Sequence, residues 1–166
     1  MEFADPTLVI FGKLLLATVL GMLIGTERAV VGKRAGTRTF ALVALGSALF
    51  VIISTNVNAQ YLGFVNFDPM RVLASIVTGV GFIGAGLIIF RSDLLRGLTT
   101  ASGLWVSAAV GAATAFGMYA VAVFTSILTI VIFTLLWFFE FYMKKFFATK
   151  EPIVINEDGG QESTDE

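Results

Sequence analysis

The residues in this sequence able to do polar chemistry are few, and they stand at the edges of apolar runs. Glu27-Arg28 closes the first run, and Lys33, Arg34, Arg38 and Thr39 lie between it and the next. Four bases against one acid exceed what orienting a membrane chain requires. The surplus charge fits lipid phosphate, a nucleotide or an acidic partner surface, or serves topology alone. Asp68-Pro69 opens another run with Asp as N-cap and Pro at the first helical position. Arg71 stands three residues on, within reach of that carboxylate. The pair reads either as a cap with a surface ion pair or as the charged outer mouth of a pathway. Gly97-Leu98-Thr99-Thr100 offers hydroxyls and free backbone N–H groups at a helix start, for capping or for an anion. Lys13 shares a helix face with Ala17, Gly21 and Gly25. It either points at a neighbouring helix, with Asp68 as its partner, or snorkels outward. Glu140 reads as an interfacial residue.

One motif suggests a cofactor. Gly79, Gly81 and Gly84 have the G-x-G-x-x-G spacing that holds a dinucleotide pyrophosphate. That use requires a preceding strand and an acid about 20 residues later for the ribose. Here the motif lies inside an apolar run, and Leu104 occupies the position of the acid. No cofactor is expected.

The elements that must position these residues are membrane helices. The 166 residues are 57% hydrophobic and 14% charged, far too apolar for a soluble domain of this size. Runs of about 17–25 apolar residues suffice to cross a hydrocarbon core. Five are present, at roughly 7–26, 38–56, 70–90, 100–116 and 118–139, which predicts an all-α bundle of five transmembrane helices over residues 1–145. The start, MEFADPTLVIF, has acids where a signal peptide carries bases, so the first run reads as a retained helix. Arg28, Lys33, Arg34, Arg38, Arg91, Arg96, Lys144, Lys145 and Lys150 all fall on one side, which predicts an outside N-terminus and a cytoplasmic C-terminus. Trp137, Phe138, Phe139, Phe141 and Tyr142, followed by Lys144 and Lys145, form an aromatic belt with basic anchors. Residues 146–166 read as an acidic, disordered tail.

Small residues predict how the helices pack. Gly21 and Gly25 make one stripe, and Gly103, Ser107, Gly111 and Ala115 another. On the third helix Ser75, Gly79 and Gly86 share one face, and Gly81, Gly84 and Ala85 the other. Glycine on both faces predicts that this helix is central. Ser107 and Thr114 are candidates for hydrogen bonds between helices. The fifth helix has no glycine from Tyr119 to Tyr142 and is expected at the lipid-facing periphery or at a subunit boundary. An offset of 61 residues relates Gly25 to Gly86, Gly36 to Gly97 and Thr39 to Thr100, compatible with two duplicated hairpins.

In order over roughly residues 12–125, the segments GMLIGTERAVVGKRAGTRTFALVALGSALF, DPMRVLASIVTGVGFIGAGLII and GLTTASGLWVSAAVGAATAFGMYA closely resemble the membrane domain of the MgtC/SapB family. The matching motif positions are Glu27, Arg28, Gly36, Arg38, Thr39, Asp68, Arg71, Gly79, Gly81, Phe82, Gly84, Gly86, Gly97, Thr99 and Thr100. The resemblance implies a bacterial or archaeal inner-membrane protein linked with adaptation to low magnesium, acid stress and, in pathogens, virulence. It also implies a partner, since some members are described as restraining the F-type ATP synthase. Many members have Gln where this chain has Ser75, and several carry an ACT-like domain after the last helix, which is not expected here.

Absence of Cys and His removes disulfides, thiolate chemistry, the usual zinc sites and the commonest general base. Three functions remain. The first is a non-enzymatic regulator of ion and membrane energy that acts through a partner complex. The second is a small channel or transporter with Asp68 and Arg71 on its path; because five short helices enclose little volume, it would require a homo-oligomer. A lipid-directed enzyme is the weakest, since no set of nucleophile, base and orienting group is visible. No nucleic-acid partner is expected, and the metal question is open.

Overall fold

The computed structural model describes residues 5–33, 35–60, 68–91 and 94–148. Five helices follow one another: α1 (Pro6–Val30), α2 (Thr37–Gln60), α3 (Pro69–Leu87), α4 (Leu98–Ala115) and α5 (Tyr119–Ala148). Between α3 and α4 lie two short antiparallel strands, β1 (Ile89–Arg91) and β2 (Leu94–Arg96), paired with Phe90 opposite Leu95. The hairpin was not expected, and it ends α3 at Leu87, short of residue 90. Helix α1 continues past residue 26 and so carries Glu27 and Arg28 inside it. Helix α5 runs beyond residue 145 to Ala148. Arg34, Lys150 and the rest of the acidic tail from residue 149 lie outside the described residues, as do the side chains of Arg91, Glu140, Phe141, Lys144 and Lys145.

Helices α1, α2, α3 and α5 are long and apolar enough to cross a membrane. Helix α4 is not among them, and its position explains why. It packs against α1, α2 and α3, so its neighbours are protein rather than lipid. Most of its 18 residues are small or buried, including Gly103, Leu104, Ser107, Ala108 and Gly111. A helix shielded in this way needs less apolar surface of its own.

The expected glycine stripes of α1 and α4 bring helices into backbone contact. A Cβ at Gly21 would lie 2.7 Å from the Phe40 carbonyl oxygen, and one at Gly25 would lie 2.8 Å from both Phe40 Cβ and Thr37 Cα. At Gly111 it would run into the Ala44 carbonyl, and at Gly103 it would fall 2.5 Å from the Phe133 ring. Ser107 Oγ donates to the Phe40 carbonyl at 2.9 Å, a buried bond between α4 and α2. Thr114 instead donates to Val110, within its own helix. Without a hydrophobic force to join helices in lipid, such close van der Waals contact and hydrogen bonding hold the bundle.

Helix α3 does not take the central place. It packs on α4 and α2, and only Ile76, Val80 and Gly84 are buried. Gly84 meets Ala101 at an ordinary 3.7 Å, whereas Gly79, Gly81 and Gly86 have nothing within 4 Å of a built Cβ. Small residues permit close approach without compelling it, and the centre goes to α4, whose stripe is matched by Phe40 and Ala44 opposite. The positions related by the 61-residue offset also differ: Gly25 is closely packed and Gly86 faces open space.

Two buried clusters form the core. One gathers Ala17, Val51, Ile76 and Ala108, and the other Leu20, Ile24, Phe40, Leu104 and Phe133. Helix α5 reaches inward through Ala122, Ser126 and Phe133, while Phe124, Ile127 and Leu128 are exposed, as expected of a peripheral helix. The chain divides after Thr134 into a main compact unit and a second one. Within the second, Trp137 and Phe138 meet edge to face with ring centroids 5.1 Å apart.

Candidate functional site

The polar residues sort into four groups. At the start of α3, Asp68 accepts from the Met70 N–H at 2.9 Å with Pro69 at the first helical position, an N-cap as the sequence predicts. The expected bond from Arg71 to that carboxylate is not formed. The one ion pair among the described residues joins Glu27 and Arg28. Arg71 instead borders a groove of about 750 Å³ between α2 and α3, with Gly46, Ser47, Phe50, Ser75 and Gly79.

Lys13 neither snorkels nor meets Asp68. Its Nζ donates to the Ala115 carbonyl at 2.8 Å, at the C-terminus of α4. The face chosen from the sequence was right, and the partner was backbone rather than carboxylate.

Arg28 is buried, 4% exposed, and its guanidinium lies 3.8 Å from the centroid of the Phe133 ring. The same side chain pairs with Glu27. A guanidinium is weakly hydrated and planar, so an aromatic face on one side and a carboxylate at its edge replace water at low cost. This makes Glu27 and Arg28 parts of the packing between α1 and α5. Phe133 is the member that sequence reasoning missed, for nothing distinguishes it from the other phenylalanines of an apolar helix.

Thr99 and Thr100 lie at the end of the bundle where both basic loops meet. A cavity of about 510 Å³ there is lined by Gly32, Lys33, Leu87, Arg96, Thr99 and Thr100, among others. The loop after α1 and the hairpin before α4 are thus neighbours, as the shared sidedness of their bases predicts. Gly97 sits at the N-cap of α4 with φ +95°, and no side chain caps the helix. A Cβ there would strike the Leu87 carbonyl, so only glycine lets the chain turn this close to the end of α3. Thr99 is exposed and Thr100 buried. Arg38 is exposed, Thr39 is half-buried, and neither borders the cavity. Among the described residues no cluster of His, Cys, Asp or Glu is arranged to hold a metal.

A bundle joined through glycine contacts, with apolar outer faces and a basic cavity at one end, defines a small polytopic membrane protein of helical class. The sequence pattern of the MgtC family matches residues 14–141, and the chain belongs to that family. It is 45% identical over 122 residues to YhiD of Escherichia coli K12, whose designation suggests magnesium transport; the match covers 72% of this chain and 57% of that protein. Identity is 40% over 133 residues to SapB of Bacillus subtilis, covering 78% and 56% of the two chains. To MgtC of Brucella abortus 2308 it is 42% over 120 residues, covering 72% and 48%. The chain therefore spans about half the length of the curated relatives it matches. No solved structure matches it.

Proposed function

We propose that this chain is a regulator embedded in the bacterial or archaeal inner membrane, supporting magnesium and proton homeostasis and membrane energy under stress. It acts by docking an integral membrane partner rather than by catalysis. In this reading α1 begins outside and the basic loops are cytoplasmic, in line with the positive-inside rule. The family membership and the designation of YhiD support the link with magnesium.

The observation that carries the docking part is the face of α3. Gly79, Gly81 and Gly86 are the residue type that brings helices into contact, and among the described residues each faces open space. Beside Gly79 runs the groove next to α2. A partner helix laid there would convert idle glycines into packing. The family resemblance names the F-type ATP synthase as one such partner. Crosslinking in native membranes, then purification in mild detergent, tests the reading. A stoichiometric membrane partner lost on Gly79→Leu is the expected result; recovery of the chain alone counts against it.

The groove also supports a second reading, a cation or small-solute pathway, because Arg71 stands at one end of it. Ion flux through sealed proteoliposomes decides. Asp68→Asn removes the charge yet keeps a capping side chain, so saturable Mg2+ or H+ flux lost in that variant would establish transport.

A further inference from the structure

We propose that the cavity between the two basic loops binds a phosphoryl group, with Lys33, Arg96, Thr100 and the backbone N–H groups opening α4 as its donors. The inference does not rest on the partner reading, and either can fail alone.

The first N–H groups of any α-helix lack intrahelical acceptors and carry the positive end of the helix dipole. In α4 the Ala101 N–H already returns to the Gly97 carbonyl at 2.9 Å, and no side chain caps the N–H groups before it. They open where Leu98, Thr99 and Thr100 border the cavity. Two cationic side chains, Lys33 and Arg96, border it as well, and no acid is among its described lining residues.

Thr100 points independently to a ligand. It is 6% exposed, yet its hydroxyl has no hydrogen-bond partner among the described residues. Hydroxyls further along the helices find one easily: Ser75, Thr78, Ser102 and Thr114 each donate to the carbonyl four residues back. Thr100 stands in the first turn of α4, where no helical carbonyl lies behind it. Among the described residues every fully enclosed side-chain N or O is satisfied, so the Thr100 oxygen retains an opening, and Thr100 lines this cavity.

A hydroxyl, a helix N-terminus and two cations around a cavity with no acid among its described lining residues match the oxygens of a phosphate. Sulfate has similar geometry, but in a cell and at a membrane surface the abundant group is phosphoryl. Its source is either a small soluble phosphate or the headgroup of an anionic lipid, since the chemistry recognised is the same.

The test uses the full chain in nanodiscs. In phosphatidylcholine discs, calorimetry follows titration with inorganic phosphate. In discs that also contain phosphatidic acid, native mass spectrometry reads the lipid retained. Saturable phosphate binding, weakened roughly tenfold or more by Lys33→Gln with Arg96→Gln and roughly threefold by Thr100→Val, assigns a soluble phosphate. Lipid retention lost in the same variants, without phosphate binding, assigns a headgroup. Thr100→Ser, which restores the hydroxyl, returns the signal if Thr100→Val acts through that group rather than through folding. Arg38→Gln removes an exposed base outside the cavity and controls for general attraction. Absence of binding in both arms, or binding that falls equally with Arg38→Gln, overturns the proposal.

Discussion

Lys13 Nζ completes the C-terminus of α4 by donating to the Ala115 carbonyl. The three preceding carbonyls already have backbone donors: Phe116 N–H on Ala112, Met118 N–H on Ala113 and Gly117 N–H on Thr114. Ala115 is left over, and the lysine of another helix supplies what the chain itself does not. Its positive charge also lies at the negative end of the α4 dipole. Lys13→Met keeps the aliphatic stem and loses the donor, so it should destabilise the fold by about 1–2 kcal/mol. Denaturant unfolding in detergent, compared with Lys13→Arg, checks this, and an unchanged midpoint would mean that the bond contributes nothing.

Arg28 and Phe133 should be energetically coupled. Cation–π contact away from water is worth up to about 2 kcal/mol. Lysine preserves the charge but not the plane that stacks on the ring. In a double-mutant cycle of Arg28→Lys and Phe133→Leu, a coupling of about 1 kcal/mol or more is expected. Simple additivity would mean that the two side chains are neighbours without interacting.

Much of this was legible in the sequence, and the part that was not has a consistent cause. Apolar run length located all five helices, four of which are long and apolar enough to cross a membrane. Helix capping at Asp68-Pro69 and the α1 and α4 glycine stripes were readable because they depend on local spacing. Pairings across the bundle were not. For Lys13 the sequence offered a carboxylate partner or an outward snorkelling end, because sequence reveals charges and hides orphan carbonyls. Helix α3 was placed at the centre because glycine marks a surface that can be packed, while which surface is packed depends on what faces it. Phe40 and Ala44 face Gly103 and Gly111, and among the described residues nothing lies within 4 Å of a Cβ built at Gly79. The cavity was half visible: both basic loops and the two threonines were noted, but their meeting required the hairpin that ends α3 early.

Glycine to alanine substitutions should separate the packed stripe from the open one. At Gly111 the new methyl overlaps the Ala44 backbone, which cannot move aside as a side-chain end would. Overpacking of that kind costs about 1–3 kcal/mol. Gly79→Ala meets no atom within 4 Å and should leave the stability of the isolated chain unchanged or slightly raised. Unfolding midpoints of the two variants provide the comparison, and equal effects would remove the distinction between the faces.

Gly97→Ala should be more damaging than Gly32→Ala, although both positions have positive φ. Gly32, at φ +72°, has open space around it, so alanine there bears only the left-handed backbone penalty of roughly 1–2 kcal/mol. At Gly97 the methyl also meets the Leu87 carbonyl, and relief requires α4 to draw back from the end of α3. Such a shift would move the N-terminus of α4 and with it Thr99 and Thr100. Gly97→Ala should therefore lower the unfolding midpoint by more than Gly32→Ala and, in protein that remains folded, alter the protection of the Leu98–Thr100 amides in hydrogen exchange. Equal midpoints and unchanged exchange would mean that the hairpin yields to the methyl and that the close approach at Gly97 does not position α4.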